Sequence, residues 1–269
     1  MVRIKKYVIT ILLLCFAGCL CSCASGGAGE YRTVETPAEQ QICMAFRKGD
    51  RLRETVSAAL NALAAEGAVA EISARWFGRD ITLTDGDART AEEPEYETGQ
   101  RTFIAGLVIS GPPMSFRQAD KYSGFDAELA AAVCGRLGWE LKLRAVSAEN
   151  IGLELAAGNI DAAWGVTEGD SDEYDLSAPY AENRVIIVVL SRSDIKRTGQ
   201  LSGKTVGIKY ADLELSETLA KLPDGIEKKN VYSEYGALFT ALNNGQCDAI
   251  LTGSLVYSYY LFKSGLAPR

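Results

Sequence analysis

The 269-residue sequence predicts an α/β fold with mostly parallel sheets. Short β-rich runs alternate along the chain with amphipathic helical segments, as they do where helices connect parallel strands. The run VIIVVL at residues 185–190 is apolar on both faces, which is typical of a strand in the centre of a sheet. The run WELKLRAV at 139–146 alternates apolar and charged side chains, which indicates a half-buried strand.

The first helix has the clearest sequence signals. Asp50 can cap its amino end, and Gly67 is a typical stop residue. Its apolar face has the helical spacing of Leu52, Val56, Leu60 and Leu63.

The remaining elements follow from the same periodicities and breaks. In chain order they are a short helix ending at Trp76 and Phe77, a strand at 103–109, a helix at 125–137 closed by Gly138, the strand at 139–146, a helix near 149–157, a buried strand at IDAAW, strands at VIIVVL, KTVGIK, NVYS and DAILT, and helices at 212–222, 233–243 and 254–263.

Composition narrows the classes of function. The formal charge is −7, and removal of the three basic residues in the first 23 positions takes it to −10. Such an acidic surface argues against nucleic acid as a partner. The sequence has no histidine, which excludes histidine metal ligands, Ser-His-Asp triads and Cys-His dyads. We therefore predict neither a metal nor a cofactor.

Residues 1–23 predict an export signal. Three basic residues precede an apolar run, Tyr7–Leu20, that is too short for a comfortable membrane span. The following LCSC resembles a bacterial lipoprotein cleavage site, which implies lipidation of Cys23, with 24–29 as a flexible tether and the protein held outside the cytoplasm at the cell membrane. Cys19 in FAGC is the competing site, and an ordinary signal peptide is the remaining alternative.

The body of the chain contains Cys43, Cys134 and Cys247, each in an apolar setting. Such residues are expected to be small buried hydrophobes. A Cys43–Cys134 disulfide is allowed after export, but the spacing does not indicate one.

Residues 80–101 predict a solvated linker, because they contain seven acidic residues, two arginines and almost no apolar periodicity. A flexible segment of this length has a root-mean-square span of roughly 25 Å. It could therefore join two points on the surface of one domain.

Several segments resemble the family 3 solute-binding proteins, the amino-acid receptors of ABC importers. They are AFRKGD, ARWFG, GFDAELA, GNIDAAW, LSAPY, LSGKTVGI and CDAI. The resemblance implies a type II periplasmic-binding-protein fold, also called a Venus flytrap, in which two α/β lobes close on a small solute.

The order of the resembling segments is reversed. Residues 42–79 resemble the closing stretch of the family, whereas 103–130 resemble its opening stretch. This order predicts a circularly permuted flytrap, with the acidic linker joining the family's old ends. Lobe 1 would be continuous, from 39 to 185, and would contain the linker 80–101. Lobe 2 would be assembled from both ends of the chain, residues 187–269 plus 30–38. The reversed order could also come from a trimmed tandem duplication or a misassembled gene, and either origin predicts the same fold. If residues 30–79 docked on a neighbouring molecule instead, the result would be a swapped dimer.

The family's usual ligand partners are missing at the matching positions. In the family, an arginine holds the ligand carboxylate, a Ser/Thr pair adds donors, an aspartate takes the ammonium and two aromatic side chains sandwich the ligand. Here the position of the arginine holds Asp170, and the Ser/Thr pair is replaced by Asp212 with Leu213. Gly253 stands at the position of the aspartate, and Gly111 and Ala148 stand at those of the two aromatic side chains.

Two functional hypotheses remain. In the first, the protein is a membrane-tethered receptor that delivers a small polar solute, neutral or cationic, to an ABC permease. Asp170 and Asp212 would be its charge partners, and the other candidate binding residues are Ser110, Phe116, Trp164, Gly165, Thr167 and Tyr210. In the second, the site has decayed and the domain is a surface interaction protein. An enzyme is disfavoured, because the sequence shows no evident acid–base pair.

Overall fold

The computed structural model describes residues 30–83, 100–169, 171–209, 226 and 228–266, except for the side chains of 35–38, 228 and 229. The predicted export signal, tether and helix at 212–222, with most of the acidic linker, lie outside these residues. Within the described ranges, no helix has the length and apolar character needed to cross a bilayer.

The described strands and helices alternate much as the sequence predicts. The strands are β1 Tyr31–Arg47, β2 Thr102–Val108, β3 Phe116–Gln118, β4 Lys121–Ser123, β5 Glu140–Val146, β6 Ala162–Thr167, β7 Tyr174–Leu176, β8 Ala181–Leu190, β9 Thr205–Lys209, β10 Lys228–Tyr232 and β11 Ala249–Gly253. The helices are α1 Leu52–Ala65, α2 Ala68–Phe77, α3 Phe125–Leu137, α4 Ile151–Ala156, α5 Tyr235–Asn243 and α6 Ser254–Lys263. Short 3₁₀ turns occupy Ala148–Asn150 and Thr198–Leu201.

One continuous sheet organises the described chain, in the order β10-β9-β11-β8-β1-β6-β2-β5, and β7 pairs beside β1. Its two ends are parallel: β2 lies between β5 and β6, and β9 lies between β10 and β11. The central strands β1 and β8 are antiparallel to each other and to their outer neighbours. The α/β class is confirmed, with parallel ends joined by an antiparallel centre.

Strand β1 is longer than the sequence indicates. From residues 30–41 the sequence predicts only a short strand near 31–35, but the structure has a single 17-residue strand that continues through ICMAF to Arg47. It pairs with β8 from Tyr31 to Ile42 and with β6 from Ile42 to Phe46. Strand β1 therefore runs from one end of the sheet into the other and, with β8, connects the two halves.

Helices α1 and α2 share a hydrophobic core with β2 and α3. The core includes Val56, Phe77, Phe103 and Phe125, all at most 2% exposed. The rings of Phe77 and Phe125 meet edge to face with centroids 5.3 Å apart. The segment before the acidic linker and the segment after it therefore pack in one body. The permuted arrangement requires this contact, although the permutation itself stays a prediction.

The folded body extends slightly into the segment predicted as a linker. The Ile81 N–H donates to the Ser73 hydroxyl at 2.9 Å, and the Leu83 N–H donates to the Tyr180 carbonyl at 3.0 Å. Thr82 forms a bridge to Ala181. Ile81 is thus attached to α2, and Thr82 and Leu83 to the start of β8, so the first residues of the predicted linker belong to the folded body.

The other half of the sheet is covered on both faces. Ile187, Ile208 and Leu251 lie in one apolar cluster, whereas Val188 and Phe239 lie in the other, on the side of α5 and α6. Cys43, Cys134 and Cys247 are buried free thiols, so the allowed Cys43–Cys134 bridge is not formed. The predicted lobe boundaries themselves stay a prediction.

Candidate functional site

A cleft of about 570 Å³ lies where strand ends from the two halves of the sheet meet. The carboxyl ends of β2, β5 and β6 form one wall, and the carboxyl end of β11 faces them. Open α/β sheets bind ligands at such carboxyl ends, because loops and backbone groups converge there. The lining residues are Gln40, Ile42, Val108, Ile109, Ser110, Met114, Val146, Ser147, Ala148, Glu149, Gly165, Thr167, Asn183, Tyr235, Gly253, Leu255 and Val256.

Asn183 forms the polar centre of the cleft floor, where β1 and β8 cross between the halves. Its amide nitrogen donates to Gln40 Oε1 at 3.0 Å, and its Oδ1 accepts from the Leu255 N–H at 3.3 Å. A Cβ placed on Gly253 would lie 2.6 Å from Asn183 Oδ1. Asn183 thus takes the space into which a side chain at 253 would extend, so a larger residue there would require the Asn183 amide to shift.

Glu149 supplies an anionic group on the first wall. Among the described residues that line the cleft, it is the only one with a formal charge. A hydrogen bond from its own backbone and a second from the Ser147 hydroxyl lower the pKa of its carboxyl group. Glu149 is therefore a carboxylate at neutral pH.

Lys209 supplies a cation at the edge of the cleft. Its side chain, at the end of β9, is only 8% exposed. Its Nζ donates to the Ser110 carbonyl at 2.8 Å and lies 4.2 Å from the centroid of the Tyr235 ring. Ser110 follows β2 and Tyr235 begins α5, so this ammonium joins the two halves.

Neither Glu149 nor Lys209 is among the binding residues predicted from the sequence. Lys209 does carry a signal, since it ends an apolar strand, KTVGIK, beside the predicted Tyr210. Glu149 has the pattern of an ordinary exposed helix residue, and only the convergence of strand ends places it at a cleft.

Three of the predicted binding residues line the cleft, namely Ser110, Gly165 and Thr167. Phe116 does not; its ring packs edge to face on Trp76, with centroids 5.9 Å apart. Asp170, Tyr210 and Asp212, like the predicted lipidation site Cys23, lie outside the described residues.

Trp164, also predicted to bind ligand, is a core residue. Its side chain is fully buried, and its ring lies 5.7 Å from that of Tyr180. On β6 it pairs with Met44 on one side and Leu107 on the other. Its Nε1 has no hydrogen-bond partner among the described residues.

Trp164 lies with Ala162 in the core below α1 to α3, whereas Val166 lies in the cluster on the other face of the sheet. The pairing of β1 with β6 shifts register between Val166 and Trp164, which leaves Gly165 unpaired and interrupts the alternation of side chains there.

A buried hydrogen-bond network supports the cleft from below. The Asp126 carboxylate accepts from the Ser115 hydroxyl at 2.7 Å and from the Tyr180 hydroxyl at 2.6 Å. The Tyr180 oxygen in turn accepts from the Gly165 N–H at 3.0 Å. The network therefore fixes the backbone of a cleft residue through two side chains.

Burial raises the pKa of the Asp126 carboxyl group, and the hydrogen bonds from Tyr180 and Ser115 oppose that rise. The folded protein therefore holds the Asp126 proton more tightly than the unfolded chain does. The stabilisation that this proton gives to the folded state is complete below about pH 3.9, the usual pKa of an unfolded aspartate. It is lost as the pH rises through the higher pKa of Asp126 in the folded protein. We expect the unfolding free energy of the wild type, relative to Asp126→Asn, to fall as pH increases above about 4. Urea unfolding of both proteins from pH 3.5 to 8 measures this difference, and a constant difference would contradict it.

Residues 103–229 match the model of the bacterial extracellular solute-binding proteins, family 3. Among curated proteins, the arginine-binding extracellular protein ArtP of Bacillus subtilis is 24% identical over 171 residues, covering 62% of this chain and 67% of the relative. The L-cystine-binding protein TcyJ of Escherichia coli K12 is 28% identical over 160 residues, covering 57% and 59%.

The chain spans 67% of the length of the first of these relatives and 59% of the second. A solved ancestral cationic amino acid solute-binding protein superposes with a TM-score of 0.51 at 24% identity, covering 59% of this chain and 72% of that one. This likeness shows the two-lobed fold. The match to the bacterial extracellular solute-binding proteins, family 3, thus covers residues 103–229, just under half of the chain, and the superposition supports the same fold.

Proposed function

We propose that the protein is an extracytoplasmic receptor that binds an amino acid or a related small polar compound in the cleft and delivers it to an ABC permease. The cleft between the two halves of the sheet is the observation that carries the proposal. Its volume of about 570 Å³ falls in the range of small-molecule sites, and its lining mixes apolar walls with a few polar groups. Relatives named for binding arginine and L-cystine support the class of solute.

Closure of the cleft would couple binding to recognition by the permease. Strands β1 and β8 connect the halves and are the natural hinge. A solute that touches both halves stabilises the closed state by its differential contacts. Ser110 and Thr167 would contribute from the first half and Tyr235 from the second, with the predicted Asp170, Tyr210 and Asp212 as further contacts.

Two further parts of the proposal concern the chain itself. A lipid on Cys23 would hold the receptor at the membrane, and the six residues after it would be the tether. The chain would be a circular permutant, in which residues 42–79 complete the lobe that begins at Phe103. The shared core of Phe77, Phe103 and Phe125 supports this arrangement.

Thermal unfolding in the presence of candidate solutes tests the receptor. The panel contains the common amino acids, cystine, polyamines and short peptides, each up to 10 mM. A solute present at about 100 times its Kd adds about 2.7 kcal/mol to the unfolding free energy, which corresponds to a rise in Tm of roughly 5–10 °C for a chain of this size. A complete absence of shifts would contradict the receptor proposal.

That negative result would favour the second hypothesis, a surface interaction protein. One observation supports this alternative: Ala148 and Gly253 line the cleft where the family resemblance implies an aromatic residue and an ammonium-binding aspartate. Co-purification with permease components would then also be absent.

A further inference from the structure

We infer that Tyr180 is a positioning residue for the cleft: its hydroxyl holds a bulge of β6 in the conformation that the solute meets, and solute affinity depends on it. The inference rests on the proposed receptor function. Tyr180 itself is 4% exposed and is not among the residues that line the cleft, so it acts through the backbone that it holds.

The bulge lies at Gly165, in the wall of the cleft. Trp164 and Val166 pair with consecutive residues of β1, so Gly165 between them is left without a partner on that strand. Its φ of +80° takes the backbone out of the extended conformation. Its N–H donates to the Tyr180 hydroxyl at 3.0 Å, so the tyrosine oxygen takes the place of a strand partner.

The bulge decides which side chain of β6 reaches the cleft. In a regular strand Trp164 and Val166 would share a face, but they lie in clusters on opposite faces of the sheet. The extra residue has therefore reversed the alternation that follows it. Thr167, directly after Val166, lines the cleft together with Gly165. Without the bulge, the Thr167 side chain would turn to the other face of the strand.

Asp126 fixes the direction of the Tyr180 hydroxyl. The carboxylate accepts from this hydroxyl at 2.6 Å, which leaves the tyrosine oxygen free to accept from Gly165. The carboxylate also accepts from the Ser115 hydroxyl at 2.7 Å. The Ser115 carbonyl accepts in turn from the N–H of Ser110, another cleft residue, at 3.1 Å. One buried carboxylate thus holds two neighbouring segments of the first wall.

The close packing at Gly165 makes its position sensitive to the network. A Cβ at this position would lie 3.0 Å from Asp126 Oδ2 and 3.7 Å from Val108 Cβ. Loss of the Tyr180 hydroxyl would leave the Gly165 N–H without its partner, and an unpaired donor favours a rearranged backbone. A shift of Gly165 would move Thr167 with it, and the solute would meet a different wall.

The test compares Tyr180→Phe with Ser177→Ala as its matched control. Each change removes one hydroxyl that accepts from a backbone N–H: that of Gly165 in the first variant and that of Met44, at 2.9 Å, in the second. Ser177 is 8% exposed and is not among the residues that line the cleft. Urea unfolding measures the stability of each variant. Calorimetric titration of the folded proteins measures the Kd for L-arginine, or for the panel member that raises the wild-type Tm most if L-arginine does not bind.

We expect Tyr180→Phe to raise the Kd at least about tenfold, which is the scale of one lost hydrogen bond that leaves its donor unpaired. Ser177→Ala should lose stability with a nearly unchanged Kd, because the N–H that it frees lies away from the cleft wall. Amide hydrogen exchange gives a second measurement without solute: Gly165 should exchange faster in Tyr180→Phe and at the wild-type rate in Ser177→Ala.

An unchanged Kd or an unchanged Gly165 exchange rate in a folded Tyr180→Phe variant, or an equal rise in Kd in Ser177→Ala, would overturn the positioning role and leave the receptor function standing. If Tyr180→Phe does not fold, Ser115→Ala, which frees Asp126 from the segment 110–115, takes its place in the same comparison with the same expected direction. Failure of the wild type to bind any member of the solute panel would remove the receptor function and this role together.

Discussion

Replacement of Gly124 by alanine is expected to lower the unfolding free energy by at least about 3 kcal/mol. Gly124 has φ 128° and ψ 174°, a backbone region that residues with a Cβ scarcely occupy. A Cβ at this position would overlap the carbonyl oxygen of Met114 and lie 2.7 Å from its carbonyl carbon. The neighbouring backbone cannot easily withdraw, because the Phe125 N–H donates to Pro113 and the Asp126 N–H donates to Met114.

Gly138→Ala is the matched control. Gly138 also has a positive φ, 71°, but a Cβ there would meet nothing within 4 Å. The control therefore carries only the left-handed strain of about 1–2 kcal/mol. Urea unfolding of both variants separates backbone overlap from strain, and equal losses would show that the Met114 carbonyl yields readily.

Replacement of Trp164 by alanine is the second large effect, with an expected loss of about 3–5 kcal/mol of unfolding free energy. The side chain is fully buried among β1, β2 and Tyr180, so truncation leaves a cavity that the surrounding sheet cannot fill. Trp164→Phe should cost much less, since most of the ring volume remains and the Nε1 group has no described partner to lose.

Urea unfolding and solute titration of the same two variants distinguish a core residue from a ligand residue. If Trp164 is a core residue, its replacement lowers the unfolding free energy strongly but changes little the Kd with which the remaining folded protein binds solute. A Trp164→Ala variant of nearly normal stability whose solute binding is abolished would show that the tryptophan turns into the cleft, as the sequence analysis predicted.

Local periodicity was sufficient for most helices. The predicted apolar face of α1 is buried, Gly138 ends α3, and α6 occupies the predicted residues 254–263. These features depend on residues three or four positions apart and on the conformational freedom of glycine, both of which are visible in the chain itself.

Strand β1 shows where local information ends. Its polar stretch after Glu35 has the composition of an interruption, yet the strand continues to Arg47 because β8 and β6 pair with it from residues more than 100 positions away. Hydrogen bonds to distant strands outweighed the local preference.

The cleft was predicted in part. Ser110, Gly165 and Thr167 lie at strand ends, where a sheet of this class binds ligands, so their placement follows once the strands are identified. Trp164 precedes Gly165 directly, but a strand turns successive side chains to opposite faces, and the face that becomes core depends on what packs there.

The sequence by itself determined the α/β class, most of the described helix boundaries to within two residues, the absence of histidine chemistry and the resemblance to solute-binding proteins, because each rests on composition or on spacings within a few residues. Only the tertiary structure decided that Trp164 is core, that the Asn183 side chain lies against Gly253, and that Lys209 meets Ser110 across 99 positions of chain. Contacts of this kind are set by the packing of distant segments against one another, and a linear pattern does not contain that information.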